Sequence, residues 1–353
     1  MDAVEQLNAI SAPARVASRT MQAIVHRKYG MPDVLALEEI ERPVPGDEDV
    51  LVRVHAACAS IGDHHVVTGK PYLIRLSPFG GLPRPRNLVP GAAMAGRVEA
   101  VGAKVTMFRP GDEVFGQAAT GAFAEYLVVP AKLLAPKPGN LSFEEAAAVP
   151  WGATALQGLR DAGGLKPGQR VLINGASGGV GTWAVQIAKA LGGHVTAVCS
   201  TRNVARVRAL GADDVVDYAQ EDFLAGGPRF DVMLDLVGNR SLSDCRSVLT
   251  SKGAYVPCSG GGGDWVGPFL RILGGLVSSL FTSRKLKAFV MTPNRDDLLF
   301  LKELVEAGKA LPVIERRYAL SDVGEALRYV GEGHAQGQTV IRIAPELAVR
   351  SAS

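Results

Sequence analysis

Residues 170–202 read RVLINGASGGVGTWAVQIAKALGGHVTAVCSTR, and their order decides the fold. Val171-Leu172-Ile173 is short, apolar and rich in β-branched side chains, as a strand buried on both faces should be. Gly175, Gly178 and Gly181 follow at three-residue spacing, which lets backbone approach a pyrophosphate closely. Trp183, Ile187 and Leu191 are then spaced four apart with Val180 and Ala184 beside them, giving a helix one face to bury, and Gly192-Gly193 stops it. The N–H groups and dipole that open such a helix favour negative charge. A glycine-rich surface loop with no ligand is the other reading of these glycines, and this strand–turn–helix–strand order favours the ligand site over it.

The residues after the second strand set the type of dinucleotide. A site that selects NAD places an acidic side chain there to hold the ribose 2′-hydroxyl. This chain places Ser200, Thr201 and Arg202, with no carboxylate among them, so the pattern implies a 2′-phosphate and therefore NADPH.

At 353 residues the chain is long for one core, and two domains are expected. A formal net charge of +3, without a basic cluster interleaved with aromatics, argues against nucleic acid. Cys58, Cys199, Cys245 and Cys258 have no CxxC spacing, which implies reduced, packed thiols in a cytoplasmic protein rather than zinc or a disulfide framework. Residues 1–20 carry Arg15 and Arg19 but also Asp2 and Glu5, with no apolar run. They read as an extension, poorly ordered or a short helix, and not as a secretory signal. Residues 265–281, WVGPFLRILGGLVSSLF, are too short and too interrupted for a bilayer span. They read as a helix over a substrate cleft or subunit contact, with a surface-membrane helix as the other reading, and no stable membrane insertion is expected.

From Gln22 to about Val149 short alternating strands are separated by Pro/Gly turns, as in a barrel-like β-domain; examples are 50–54, 96–101, 112–115 and 124–128. From Pro150 strands alternate with helices. Strands are expected at 171–174, 195–199, 214–216, 232–236, 254–257 and 287–291, and helices at 179–191, 204–210, 242–249 and 296–307. Residues 318–320, a helix over 323–330 and a strand over 339–343 then return to the first domain. The expected division is an extension over 1–20, a first domain over 21–150 completed by 310–345, and a dinucleotide domain over 151–309. Such an arrangement leaves a cleft between domains for cofactor and substrate.

Several ordered motifs carry a family resemblance over nearly all of 21–343: PGDEVFG at 110–116, GAFAEY at 121–126, GATALQGL at 152–159, NGASGGVG at 174–181, LGADDVVDY at 210–218 and GHAQGQTVI at 333–341. The chain resembles the medium-chain dehydrogenase/reductase superfamily, particularly its zinc-independent quinone oxidoreductase branch. The resemblance implies an α/β fold, a doubly wound parallel Rossmann sheet plus a GroES-like β-barrel domain, and a homodimer formed through the Rossmann sheet edge. It places the phosphate-binding loop on Gly175, Ser177, Gly178, Gly179, Val180 and Gly181. It places 2′-phosphate contacts on Ser200, Thr201, Arg202 and Tyr218, and the nicotinamide end near Thr154, Val237, Gly238 and the Cys258–Gly260 turn.

The sequence departs from zinc-dependent alcohol dehydrogenases where their metal is held. The cysteine expected three residues before Asp63 is Ser60, and the Gly-His-Glu triplet reads Gly91-Ala92-Ala93. Neither Ser60 nor Ala92 supplies the ligand zinc requires, the four-cysteine structural lobe is absent, and Cys58 with His65 lacks further ligands. No catalytic metal is expected.

Without a Lewis acid the substrate must already be electrophilic, as a quinone or an α,β-unsaturated carbonyl is. Donors must then face the oxygen that gains charge, and a proton must follow. Residues 60–72, SIGDHHVVTGKPY, supply the candidates. In quinone oxidoreductases an asparagine stands at the position of Ser60 and a tyrosine at that of His65. Ser60 is thus a donor to the carbonyl, and His65 or Tyr72 a second donor or the proton source. Asp63 is read as a structural cap and His64 as solvent-facing; His65 has both a functional and a packing reading. Two other functions stand beside a quinone or enone reductase. One is an enoyl-thioester reductase, with Lys70, Arg75, Arg84 and Arg86 as a basic entrance or simply a solvated face. The other is an NADPH-binding structural or regulatory protein.

Overall fold

In the computed structural model, residues 19–77, 80–225, 227, 229–258, 285–287, 289–333 and 335–344 are described. The expectations for residues 1–18, for Gly260 and for the 265–281 segment fall outside them. The apolar run after Gln169 forms β8 (Arg170–Asn174), the centre of a six-stranded parallel sheet. Its neighbours are β9 (His194–Cys199) and β11 (Phe230–Asp235). Beyond them lie β10 (Asp214–Asp217) on one side, then β12 (Leu249–Pro257) and the short β13 (Lys285–Leu286) on the other. The order β10-β9-β8-β11-β12-β13 reverses direction between β8 and β11. That reversal opens a crevice at the strands' carboxyl ends, where open α/β sheets bind ligands.

The glycine turn leads into α4 (Gly179–Ala190), whose apolar stripe buries Trp183, Ala184 and Ile187 completely. Two other expectations change at their ends. The helix expected to reach Leu249 stops as α6 (Leu242–Ser247), because Leu249 pairs with Phe230 and opens the longer β12. The strand expected at 287–291 is only Lys285–Leu286. Further on, the N–H and carbonyl of Thr292 are taken by the Gln157 amide, at 3.0 and 2.8 Å.

The residues before 150 build β1 (Thr20–Val25) and β2 (Ala36–Glu41), a two-stranded ribbon, and then β3 (Asp49–Ala59) of the larger sheet. After β3 come α1 (Ile61–Thr68), β4 (Ala93–Val101), β5 (Glu113–Gln117), β6 (Tyr126–Pro130) and β7 (Leu134–Pro136). The strand expected at 124–128 is shifted two residues onward, since Ala124 makes an isolated bridge to Ala23. Helices α2 (Phe143–Ala148) and α3 (Gly152–Leu156) join the two sheets, with α5 (Val204–Ala209) after β9 and α7 (Arg295–Glu306) after β13. The chain then forms β14 (Ile314–Ala319), α8 (Val323–Gly331) and β15 (Gln338–Arg342). β15 pairs antiparallel with β3 and parallel with β14. This pairing puts Gln338 and Thr339 beside Cys58 and Ala59, just before α1.

One apolar core spans both sheets. Ala56, Cys58 and Phe115 of the antiparallel sheet lie in the same buried cluster as Trp183, Ile173 and Leu301. A second cluster, with Val52, Val54, Phe123 and Leu327, fills the β-rich side. No helix among the described residues is long and apolar enough to cross a membrane.

Candidate active site

The turn after β8 owes its shape to its glycines. Gly175 sits at φ +89°, and a Cβ there would lie 2.8 Å from Val237 Cγ2. A Cβ on Gly181 would fall 2.1 Å from the Gly175 carbonyl oxygen, so helix and strand can pack only around a bare Cα. Gly178 differs: the nearest atoms to a Cβ are carbonyl oxygens 3.7 and 3.9 Å away. The first and third glycines thus shape the turn, and the middle one leaves room before α4. A dinucleotide's pyrophosphate fits this cradle, with Ser177, Gly178, Gly179 and Val180 around the helix start.

At the end of β9 the Ser200 hydroxyl accepts from Asn203 Nδ2 at 3.0 Å, while Thr201 and Arg202 are exposed. Arg202 has no hydrogen-bond or ion-pair partner among the described residues. Tyr218, 62% exposed, is tied in by its N–H to the Cys199 carbonyl at 3.1 Å. The 2′-side residues therefore meet where β9 and β10 end. Asp217 stands opposite Cys199 in register, and its Oδ1 accepts from Ala219 N–H at 3.0 Å.

The expected nicotinamide residues converge on a buried carboxylate that sequence reasoning missed. Asp235 Oδ1 accepts from Asn174 Nδ2 at 2.9 Å and from the N–H groups of Val237 and Gly238 at 3.2 and 2.9 Å. Its Oδ2 accepts from the Tyr255 hydroxyl at 2.7 Å, and its carbonyl from Cys258 N–H at 2.8 Å. Asp235 has no exposed surface, so these bonds replace water and hold the strand-end loops. Burial, with Asp235 alongside, pushes the Cys258 thiol up to about 12, which leaves it protonated. Thr154 stands half-buried on α3, which packs against α4.

The donor loop begins at Ser60, the N-cap of α1. Its hydroxyl donates to Asp63 Oδ2 at 2.7 Å and accepts from Asp63 N–H at 3.2 Å, while Ser60 N–H donates to the same carboxylate at 2.8 Å. This reciprocal box makes Asp63 the structural cap expected of it. Asp63 is 4% exposed, and burial lifts its carboxyl to about 6 despite the bonds from Ser60 and Ala92. Burial, then neighbouring His64, holds His65 below its usual value, so its ring is neutral at pH 7. His64 is not solvent-facing: its Nδ1 lies 3.0 Å from the Leu327 carbonyl, and the ring covers Gly331 of α8.

Tyr72 lies past the other end of α1, in the turn Tyr72–Leu76. Arg75 stacks on the Tyr72 ring at 4.7 Å and on Tyr29 at 4.3 Å, and donates to the Gly69 carbonyl at 3.0 Å. Ser60 caps α1, His65 lies within it, and Tyr72 follows in a separate turn packed against it. Arg75 is also committed within the protein, which removes it from the basic entrance, whereas Arg84 and Arg86 are exposed.

The residues do not fit a catalytic zinc. Ser60 is held in its capping box, and Ala92 and Ala93 offer no donor atom. The buried Cys58 thiol donates to Gln338 Oε1 at 3.3 Å. Burial, reinforced by Asp63, drives its ionisation far upward, away from the thiolate a metal needs. No group of three acidic, cysteine or histidine residues among those described is placed to hold a metal ion.

Comparisons agree with this architecture. Residues 46–139 match the family model for the alcohol dehydrogenase GroES-like domain, and residues 210–341 that for zinc-binding dehydrogenase. The chain is 35% identical to the mitochondrial NAD(P)H oxidoreductase RTN4IP1 of Danio rerio, over 93% of its own length and 92% of that protein's. It is 33% identical to 2-methylene-furan-3-one reductase of Solanum lycopersicum, over 97% and 83%. Among solved structures, the quinone oxidoreductase from Coxiella burnetii is 30% identical, with a TM-score of 0.77 over 92% of this chain and 99% of that one.

Proposed function

The chain belongs to the medium-chain dehydrogenase/reductase superfamily, in its quinone oxidoreductase-like branch, and from that premise we propose that it is a metal-independent NADPH reductase of quinones or α,β-unsaturated carbonyls. Family membership makes it an oxidoreductase with a nicotinamide cofactor. The observation that carries the choice of NADPH is the end of β9. Ser200, Thr201 and Arg202, unpartnered among the described residues, stand there with Tyr218, and the Asp217 carboxylate is turned onto its own backbone. The side-chain chemistry at Ser60, Ala92 and Ala93 supports a route without zinc.

Bound NADPH supplies the hydride. The protein's part is to bind, orient and protonate. The glycine turn and α4 hold the pyrophosphate, and the loops fixed by Asp235 bound the other end of the crevice. Ser60 caps the N-terminus of α1 with its hydroxyl proton given to Asp63 Oδ2, so its part is to hold the loop, and donation to the substrate oxygen falls to the other groups on it. The neutral His65 ring offers an N–H hydrogen bond rather than the proton expected of it, because burial disfavours its charged form, and Tyr72 is the remaining proton source on this loop.

Substituting Arg202→Ala is expected to weaken NADPH binding by about ten- to a hundredfold, the loss of one charge-assisted contact, and to leave NADH binding unchanged. An unchanged NADPH affinity would sink the 2′-phosphate assignment. NADPH oxidation with a naphthoquinone, an alkenal and crotonyl-CoA then separates quinone or enone reduction from enoyl-thioester reduction. Binding of NADPH without turnover of any of the three would favour a structural or regulatory role. The sparse cysteines support a reducing, cytoplasmic setting, which cell fractionation checks. The homodimer is tested by sedimentation against the 37.1 kDa chain mass.

A further inference from the structure

Gln338 opens β15 and is 4% exposed, yet both ends of its amide are bonded. Its Oε1 accepts from the Cys58 thiol at 3.3 Å, and its Nε2 donates to the Gly179 carbonyl at 3.0 Å. The amide's orientation follows from the Gly179 carbonyl, which can only accept and so takes Nε2; that leaves Oε1 to accept from the thiol. One partner is in the first turn of α4, beside the phosphate cradle. The other lies two residues before Ser60, on the strand that delivers the donor loop.

The neighbourhood ties the same two places. Trp151, just before α3, donates from Nε1 to the Cys58 carbonyl at 3.2 Å. Residues 335–338 pass close to the glycine turn, with the Ala335 and Gly337 carbonyls 3.9 and 3.3 Å from where Cβ atoms of Gly178 and Gly179 would stand. Arg206 of α5 holds that segment by donating to the Gln336 carbonyl at 2.7 Å. Gly337, at φ +148°, has no room for a Cβ, which would lie 2.5 Å from the Val313 carbonyl oxygen. A purely apolar side chain at 338 would fill the volume but leave the Gly179 carbonyl and the thiol unlinked.

We infer that Gln338 is a positioning residue that couples occupancy of the dinucleotide turn to placement of the Ser60–Asp63 loop. The inference rests on the reading of these two places as cofactor and substrate sites. A shift of the α4 terminus is passed through one amide to the thiol of β3, and so to the root of the donor loop. Cys58 serves as a neutral hydrogen-bond donor, the state that its burial enforces. Coupling of this kind is reciprocal: NADP+ tightens the carbonyl ligand by the factor by which the ligand tightens NADP+.

The test uses NADP+ with menadione, a pair that cannot turn over, and compares the menadione Kd with and without saturating NADP+. The wild-type ratio is expected to be about fivefold or more, within the usual span of such couplings. Gln338→Met and Cys58→Ala should bring the ratio to about one with NADP+ affinity changed less than about threefold, while Cys58→Ser, which keeps an O–H donor, retains it. In turnover, Gln338→Met should lower kcat by about tenfold with little change in the KM for NADPH, as a misplaced donor loop would. An unchanged ratio in Gln338→Met, identical behaviour of Cys58→Ala and Cys58→Ser, or a wild-type ratio of one overturns the inference alone. If Gln338→Met does not fold, the two Cys58 variants decide. A wild-type protein that binds no NADP+ overturns the cofactor reading as well.

Discussion

A carboxyl group 4% exposed, yet holding Ser60 through both its N–H and its hydroxyl, makes stability depend on pH in a sense opposite to the usual aspartate. Burial raises Asp63 from 3.8 to about 6, so the folded protein holds more protons than the unfolded chain between those values. Asp63 therefore costs stability as pH rises through that window, by roughly 3 kcal/mol once it is ionised. Asp63→Asn keeps a carbonyl acceptor and removes the titration. Urea midpoints from pH 4 to 8 should lose this downward slope and show the variant gaining on wild type toward neutrality; an unchanged slope contradicts the argument. The glycines give a sharper contrast. Gly178→Ala has room for its methyl and should fold like wild type but, on the proposed cofactor reading, bind NADPH at least about tenfold more weakly, because the methyl would enter the space proposed for the pyrophosphate. Gly181→Ala meets backbone at 2.1 Å and should lower the unfolding free energy by about 1–3 kcal/mol before any cofactor is added. Melting without ligand, alongside NADPH titration, separates the two. The glycine spacing was legible in the sequence; that His64 covers Gly331 was not, because α8 is more than 250 residues away.

Helix α7 starts from one buried acid. Asn294 caps the helix by accepting from Asp297 N–H at 2.8 Å, and Asp297 takes hydrogen bonds from Asn294, Gln157 and Arg160, each at 2.7 Å. Burial opposes the charge of Asp297, but these bonds outweigh it and hold the carboxyl below its usual range. The sign is the reverse of that at Asp63: this carboxylate contributes stability at neutral pH that is lost as pH falls through its folded value. Asp297→Ala strands Gln157 and Arg160 and should cost about 2–3 kcal/mol at pH 7, with the difference from wild type shrinking in acid. Chemical unfolding at pH 7 and at pH 3 checks both the size and the sign. Element identities read well from the sequence wherever apolar periodicity was long, as in α4, and poorly at ends that tertiary bonds decide. The helix expected to reach Leu249 stopped early for that reason, since Leu249 pairs with Phe230 and belongs to β12.

Because Cys58 and Phe115 share one apolar core with Trp183 and Leu301, the two sheets should lose their structure together. Urea unfolding followed by tryptophan fluorescence and by far-ultraviolet circular dichroism should give one coincident transition; two separated steps would mean that the sheets stand independently. The strand order and the β15–β3 pairing also bring residues 335–338 to the glycine turn and Cys58 to Gln338, contacts separated by up to 280 residues. The sequence by itself determined the strand–turn–helix unit, the Ser-Thr-Arg sequel and the missing zinc ligands, because each is a local pattern of residue types at short spacing. Only the tertiary structure decided that Asp63 and Asp235 are buried and bonded on several sides, that the Ser60 hydroxyl is committed to Asp63, and that Gln338 bridges the two sheets. Burial and long-range hydrogen bonding depend on which distant segments pack together, and residue spacing along the chain carries no record of that.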